Sequence, residues 1–404
     1  MPSSLATAFV LVYYIHAVFA GSTSSTTDAD DEIPTFKDDD EARSSDYANY
    51  FSAYNDLYHQ KIMLTDHNRM KAYHDAIMEN KDLFTDKVVM DIGTGSSILA
   101  VWAAKAGAKR VYAIEYTNMA NHAKNVVKAN GVEDVVKVFQ GAVEDVQLPL
   151  DEDWSLFCTD DDTKEECEND QHVVDIIISE WMGYFLLRES MLDSVIYARD
   201  KYLKKSTGLM FPSHATMLIS PIASEKYRQE VEKDYSDAMT SWNEYLKRAQ
   251  NDYGVDMSVL DDKFEKEQND YYKRSGHWLQ LEAGSVLAEP SIVKTLDLAT
   301  CTLEDAKGVT KIPFSFDIVA AGRSSANNKK KGIKNVIKRF RRGKDKEEVS
   351  AFAGWFTVDF KSRTDETGKQ YAPEVKNVHL STGPEAGGEC VVCRAYHVHI
   401  YYMI

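Results

Sequence analysis

The 404-residue chain is poor in cysteine, and its five cysteines are scattered. So few exclude the dense disulfide framework of small extracellular folds. Basic residues are also in deficit: 47 Lys and Arg stand against 64 Asp and Glu, a formal net charge of −17. We therefore expect no direct binding to a nucleic-acid backbone. The acidity either attracts basic substrates or serves only solubility, and composition alone favours the second.

Long apolar runs are missing as well. The longest candidate, residues 5–20, is shorter than the roughly 20 residues of a membrane-spanning helix. A small-residue motif at 18–20 resembles a signal cleavage site, but no Lys or Arg precedes Lys37 and the chain has no Asn-x-Ser/Thr sequon. We expect a signal-like segment at 1–20 and a disordered acidic linker at 21–45.

The middle of the chain has the pattern of an α/β domain, which we place at 46–212. It begins with helical spacing up to residue 80. Short apolar runs then alternate with helical stretches, a pattern typical of a doubly wound parallel sheet. An acidic loop at 151–171 interrupts it. The predicted strands are 87–92, 111–115, 135–140 and 173–179, and the helices between them 97–106 and 117–130.

After residue 212 the sequence changes character. The runs ATMLIS, PFSFDIV and FAGWFTVDF predict a β-structured domain over 213–404, interrupted by a polar helical stretch at about 222–285. Residues 323–346 contain the basic run KKKGIKNVIKRFRRGK, which we expect to be a solvated loop. The alternatives are a nuclear import signal or an amphipathic helix that contacts an anionic membrane or a partner, with apolar residues at Ile333, Val336, Ile337 and Phe340.

The first chemical motif is a glycine-rich turn, Asp91-Ile92-Gly93-Thr94-Gly95, between the first predicted strand and a helix. Glycines let the backbone approach a ligand, and the helix N-terminus offers free N–H groups. Glu115 ends the next strand, where an acid can bind ribose hydroxyls. Together they indicate an adenosine-containing cofactor; the alternative is a tight turn without a ligand. The third glycine of a dinucleotide site is missing after Gly95, which argues against a dinucleotide.

The second motif follows the fourth predicted strand and reads SEWMGY from Ser179, with Glu189 nine residues after Glu180. A hairpin through Gly183 would bring the two carboxylates together at the carboxyl edge of the sheet. Paired carboxylates need a cation between them, and a planar guanidinium suits that role. The alternative is that Glu189 is a solvated helix residue.

Taken in order, these segments resemble the protein arginine methyltransferase family. The resemblance rests on YFSAY at 50–54, VVMDIGTGSSILA, VYAIEYTNMA, DIIISEWMGYFLLRESML and YARDKYLKKSTGLMFP, with YGVDMS and LSTGPEAGGE further on. It implies a Rossmann-like methyltransferase domain, a β-barrel-like domain and a helical dimerisation arm. The implied activity is methyl transfer from S-adenosylmethionine to arginine.

The resemblance also implies roles for individual residues. Arg69 would neutralise the cofactor's carboxylate, Glu115 hold its ribose and Glu144 approach its adenine. Glu180 and Glu189 would clamp the substrate arginine, and no metal is implied. The full cofactor set is Gln60, Arg69, Asp91, Gly93, Thr94, Glu115 and Glu144. The substrate pocket would be lined by Tyr50, Tyr54, Met63 and Met191, the methionines being typical of asymmetric dimethylation.

Implied partners are Arg-rich or Arg-Gly-rich protein substrates and a second copy of the chain. The family favours the cytosol or nucleus, whereas residues 1–20 favour secretory or organelle targeting. Two alternatives stay open: a methyltransferase for another small acceptor, and a catalytically weak homologue acting as a dimeric interaction partner.

Two departures from the family pattern support that weak homologue. Ser97 replaces the family's usual glycine. Beyond LSTGPEAGGE the family has a Thr-His-Trp loop and further strands, whereas this chain ends in CVVCRAYHVHIYYMI. We therefore expect a truncated β-barrel-like domain. A metal site is not expected in that tail because no second CxxC accompanies its candidate ligands, Cys390, Cys393, His397 and His399.

Overall fold

The computed structural model describes residues 13–15, 57–149, 173–183, 185–187, 191–274, 283–308, 312–314, 316, 349–362 and 373–384. In chain order the strands are β1 (Tyr13–Ile15), β2 (Val88–Ile92), β3 (Arg110–Glu115), β4 (Val136–Gln140), β5 (Ile176–Ile178), β6 (Leu209–Phe211), β7 (His214–Ile222), β8 (Ser291–Asp297), β9 (Ile312–Phe314), β10 (Ala351–Phe360) and β11 (Val378–Ser381). The helices are α1 (Leu57–Leu64), α2 (His67–Met78), α3 (Lys81–Phe84), α4 (Ile98–Lys105), α5 (Met119–Ala129), α6 (Leu192–Tyr202), α7 (Glu225–Tyr253), α8 (Asp261–Asn269) and α9 (Leu303–Ala306).

The first domain is built on a five-stranded sheet of order β4-β3-β2-β5-β6, in which neighbouring strands run parallel. β3 is buried along its whole length and β2 along all but its first residue. Such burial is typical of parallel strands covered on both faces. The predicted doubly wound sheet is thus confirmed. The strand predicted at 173–179 is shorter than expected, however, and spans only Ile176–Ile178.

The strand order places both sequence motifs at one edge of this sheet. β2 lies between β3 and β5, where the order reverses. Ligands of open α/β sheets bind beyond the carboxyl ends of the strands at such a reversal. Gly93 directly follows β2, Glu115 ends β3, and Glu180 comes two residues after β5.

The second domain contains an antiparallel sheet of order β11-β10-β7-β8. β7 and β10 pair over nine positions, and the fully buried Trp355 of β10 packs among Ile222, Ala351 and Ala353. β1 and β9 form a separate antiparallel pair. This arrangement agrees with the expected β-barrel-like domain.

The helical stretch predicted at 222–285 contains the antiparallel partners α7 and α8. Gly254 ends α7 in the left-handed conformation, φ 67°, which glycine adopts without strain. The Trp242 ring stacks on the Phe264 ring with centroids 4.2 Å apart, and its Nε1 donates to Asp261 at 2.9 Å. These contacts hold the two helices together as an arm.

Several predicted segments lie outside the described residues. They are most of the signal-like segment and all of the linker, the acidic loop 151–171, the basic run 323–346 and the C-terminal 385–404. Among the helices that the structure does describe, none has both the length and the apolar composition needed to cross a bilayer.

Candidate functional site

The glycine-rich turn after β2 is a chain of left-handed residues. Gly93, Gly95 and Ser97 have φ values of 68°, 53° and 65°. The Gly95 N–H donates to Glu115 Oε2 at 2.9 Å, which fixes the turn against the end of β3. Gly93 is exposed just beyond the end of the strand. A turn of this shape lets a ligand approach the main chain closely.

Glu115 is buried, and both of its carboxylate oxygens are held by neighbouring groups. Its Oε1 accepts from the backbone N–H of Thr117 at 2.9 Å and from the Thr117 hydroxyl at 2.6 Å. The carboxylate is thereby oriented before any ligand arrives. Oε1 already accepts two hydrogen bonds, whereas Oε2 accepts only the Gly95 N–H and has a second lone pair for a hydroxyl donor. Sequence reasoning missed Thr117, although a Thr two residues after a site carboxylate is a known local hydrogen-bonding pattern.

Asp91 lies at the centre of the turn and is fully buried. Its Oδ2 accepts from the Thr94 hydroxyl at 2.5 Å and from the Ala100 N–H at 3.1 Å. Its Oδ1 is buried without a hydrogen-bond partner. Burial raises the pKa of Asp91 to about 7, and the Thr94 hydrogen bond opposes the rise. A buried acceptor without a partner is rare in folded proteins and calls for a functional explanation.

Two side chains border the turn from outside the sheet. Gln60 of α1 is buried, and its Oε1 lies 2.9 Å from the point where a Cβ on Gly95 would stand. The methyl carbon of Met191, at the start of α6, lies 2.1 Å from the corresponding point on Gly93. The glycines therefore leave room for these side chains as well as for a ligand.

Glu180 points into the same region from the end of β5. Its Oε2 accepts from Arg69 Nη1 at 3.2 Å, whereas its Oε1 is shielded from solvent and has no partner. Burial raises the pKa of the Glu180 carboxyl, and the Arg69 charge partly opposes this rise. The side chain is thus a desolvated carboxylate with one guanidinium on it and one free acceptor.

Arg69 is held from its other side by Asp66. The Arg69 Nε lies 3.3 Å from Asp66 Oδ2, and the Arg69 backbone N–H donates to Asp66 Oδ1 at 3.1 Å, which caps α2. The guanidinium therefore lies between two carboxylates. Sequence reasoning missed Asp66, although an Asp just before a helical stretch is an ordinary helix-start signal.

The described part of the loop after Glu180 contains a tight turn, and the hairpin that would bring Glu189 to Glu180 stays a prediction because 184 and 188–190 lie outside the described residues. Gly183 and Leu186 exchange backbone hydrogen bonds of 3.0 Å in both directions. Phe185 and Leu186 have positive φ values of 44° and 72°, a conformation costly for side-chain-bearing residues. The Tyr73 hydroxyl donates to the Ser179 carbonyl at 2.9 Å and anchors the start of the loop. Strain of this kind is concentrated at functional sites.

The remaining predicted site residues are less informative. Glu144 is exposed, and its carbonyl accepts from the Tyr197 hydroxyl at 3.4 Å. Met63 is half-buried near the end of α1. Tyr50, Tyr54 and Glu189 lie outside the described residues, so the pairing of Glu189 with Glu180 stays a prediction.

The parallel sheet whose strand order reverses at β2, the glycine-rich turn after its first strand and the acid that ends the second strand are typical of a nucleoside-binding α/β fold. In agreement, the family described as ribosomal protein L11 methyltransferase matches residues 71–153, and the arginine methyltransferase oligomerization subdomain matches residues 220–399.

Relatives define the family. Protein arginine N-methyltransferase PRMT10 of Oryza sativa subsp. japonica is 38% identical over 346 residues, which cover 85% of this chain and 76% of the rice protein. PRMT10 of Arabidopsis thaliana is 39% identical over 84% of this chain and 74% of its own length. The chain therefore belongs to the protein arginine N-methyltransferase family.

Solved structures agree with this assignment. The crystal structure of the Arabidopsis thaliana protein arginine methyltransferase 10 superposes with a TM-score of 0.66 and 36% identity, covering 86% of this chain and 84% of that one. A Trypanosoma brucei PRMT1 enzyme–prozyme heterotetramer with AdoHcy gives a TM-score of 0.54 and 27% identity over 83% of this chain and 80% of that one. The arm α7–α8 lies within the matched oligomerization subdomain, and this match supports oligomerisation of the chain.

Proposed function

We propose that this protein transfers methyl groups from S-adenosylmethionine to guanidinium nitrogens of arginine in protein substrates. The observation that carries the proposal is the desolvated Glu180 carboxylate, which already pairs with one guanidinium and keeps a buried acceptor free. Carboxylates and guanidinium groups match in planar geometry and charge, so Glu180 is suited to an arginine side chain. Membership of the family supports the reaction class.

The residues around the first turn suit the cofactor. Gly93 presents bare backbone, Asp91 has an orphaned acceptor and Glu115 is a pre-oriented carboxylate. In this proposal Glu115 binds the ribose hydroxyls, Arg69 the cofactor carboxylate and Glu144 the adenine, while Gln60 and Thr94 shape the turn. When bound, the cofactor supplies an electrophilic methyl on a sulfonium.

Glu180 prepares the acceptor. An arginine nitrogen is a poor nucleophile because its lone pair is delocalised over a permanent cation. Glu180, with Glu189 as its proposed partner, draws positive charge toward the other nitrogens and leaves one lone pair more available. Positioning that nitrogen in line with the methyl supplies much of the rest, roughly 7–11 kcal/mol at most.

The substrate and product follow from the same site. Arg-rich or Arg-Gly-rich segments suit a chain with a net charge of −17, because its field attracts cations. Met191 lies against Gly93, and its flexible thioether can yield space to a monomethylated arginine. With Met63 as the second pocket methionine, the product includes asymmetric dimethylarginine. The assembly is a homodimer formed through the arm α7–α8.

The test is methyl transfer from labelled cofactor to an Arg-Gly-rich peptide by wild type and by Glu180→Gln. The variant is expected to lose at least about a hundredfold in kcat/KM, roughly 2.7 kcal/mol, while calorimetry shows that it binds the cofactor at least as tightly as wild type. Glu79→Gln, an exposed acid at the end of α2, is the matched control and keeps full activity. A loss of cofactor affinity in Glu180→Gln as large as the loss in kcat/KM would contradict the role assigned to Glu180. An inactive wild type with a normal cofactor Kd would contradict the proposed reaction itself.

A further inference from the structure

Arg69 and Glu180 form a contact that neither residue's proposed role explains. Arg69 is assigned to the cofactor's carboxylate and Glu180 to the substrate's guanidinium, yet here they bind each other at 3.2 Å. Arg69 Nη1 occupies Glu180 Oε2 in the way that a substrate arginine would. Both side chains are mostly buried, with 21% and 18% of their surfaces exposed, so water screens the pair weakly.

The contact changes what Glu180 can offer a substrate. A guanidinium binds a carboxylate best through two parallel N–H···O bonds, which need both oxygens. With Arg69 on Oε2, only Oε1 is left, and a second guanidinium would have to sit beside a like charge. Asp66 keeps the Arg69 guanidinium from leaving the region, since it holds Nε at 3.3 Å. The contact between Arg69 Nη1 and Glu180 is therefore the one for which a ligand carboxylate would compete.

We infer that Arg69 holds the place of the substrate guanidinium on Glu180 until the cofactor's carboxylate draws it away, so that cofactor binding prepares the arginine site. This inference rests on the proposed function. A carboxylate ligand replaces Glu180 as the acceptor for Arg69 and frees both Glu180 oxygens. Asp66 acts as a positioning residue, because it keeps Arg69 within reach of both acceptors. By thermodynamic reciprocity, substrate peptide must strengthen cofactor binding by the same factor.

Calorimetry on the full chain with an Arg-Gly-rich peptide tests the inference without turnover. Peptide Kd is measured for the protein alone, with saturating S-adenosylhomocysteine, and with saturating S-adenosyl-3-thiopropylamine, which lacks only the carboxylate. We expect S-adenosylhomocysteine to lower the peptide Kd by roughly 5–150-fold and the decarboxylated analogue to leave it nearly unchanged. Without any nucleoside, Arg69→Gln should bind peptide more tightly than wild type. Lys71→Gln, on the same helix and exposed, is the matched control and should behave as wild type.

The possible results separate the two proposals. Equal peptide Kd with and without S-adenosylhomocysteine would overturn the inference, and so would an equal gain from the decarboxylated analogue. An Arg69→Gln chain that is folded by circular dichroism yet binds peptide no better than wild type would also overturn it. Absence of peptide binding in every arm, together with absence of methyl transfer, would overturn the proposed function as well.

Discussion

Ser97 has a backbone conformation that its side chain disfavours. It precedes α4 with φ 65° and ψ 21°, is fully buried, and makes no side-chain cap to the helix. For a residue with a Cβ this left-handed conformation costs roughly 1–2 kcal/mol. Glycine, which the resemblance led us to expect at this position, would avoid that cost, so the serine found in the sequence corresponds to local strain at the cofactor turn.

Replacement of Ser97 by glycine should therefore stabilise the protein. The relief of strain exceeds the extra entropy that glycine gives the unfolded chain, and we expect Ser97→Gly to raise the free energy of unfolding by about 0.5–1.5 kcal/mol. Denaturant unfolding measures the change. Ser96→Gly is the control: Ser96 has no positive φ, so glycine there should be neutral or destabilising by up to about 1 kcal/mol. A loss of stability in Ser97→Gly would show that the conformation is not strained.

At the scale of secondary-structure elements, the cofactor turn depends on the packing of the start of α6 against the end of β2. The methyl carbon of Met191 lies 2.1 Å from the position of a Cβ on Gly93. Gly93→Ala should push this side chain aside and fill the exposed backbone face, so we expect cofactor Kd to rise more than about tenfold, or 1.4 kcal/mol.

Gly131→Ala is a matched control for this prediction. Gly131 has a similar φ of 64°, but its Cβ would meet nothing within 4 Å. It therefore has the same backbone cost without the contact, and cofactor binding should be unchanged. If both variants lost affinity equally, global strain rather than the Gly93–Met191 contact would be responsible.

The strands of the parallel sheet were predictable because each buried strand is a run of apolar residues in the sequence itself. β2 and β3 are short apolar runs, and Asp91 and Glu115 could be placed at their ends by position alone. The helix cap at Asp66 could have been predicted in the same way, from an Asp directly before a helical stretch, but it was missed.

Other features have no local signal. Arg69 and Glu180 are 111 positions apart, and nothing in either segment specifies that they bind each other. The left-handed conformation of Ser97 is imposed by the turn, since serine itself does not favour it. The approach of Met191 to Gly93 depends on where α6 packs, which three-dimensional contacts decide.

At the scale of the whole molecule, side chains of the first domain bind backbone groups of the second. Arg199 of α6 donates to the carbonyls of Leu298 and Cys301 at 3.0 and 2.7 Å. Asn80 exchanges hydrogen bonds with the backbone of Lys376. The Tyr73 ring of α2 meets the Phe360 ring of β10 edge-on at 5.0 Å. The same Tyr73 anchors the loop after β5, so the packing of the second domain supports the site directly.

The arm α7–α8 should determine the assembly of the whole molecule. Its far end exposes apolar side chains, with Tyr253 77% and Val259 84% accessible, and such a surface is typical of a binding site for a partner chain.

Trp242→Ala removes the stack on Phe264 and the hydrogen bond to Asp261, which together stabilise the packing of α7 against α8 by about 1–2 kcal/mol. We expect the dimer Kd in sedimentation equilibrium to rise roughly 5–30-fold. Leu303→Ala, an exposed apolar residue on α9 outside the arm, should leave the Kd unchanged. Because the substitution lies outside the parallel sheet, the circular dichroism spectrum should stay close to that of wild type. A Trp242→Ala protein that dimerised as tightly as wild type would show that the interface lies elsewhere.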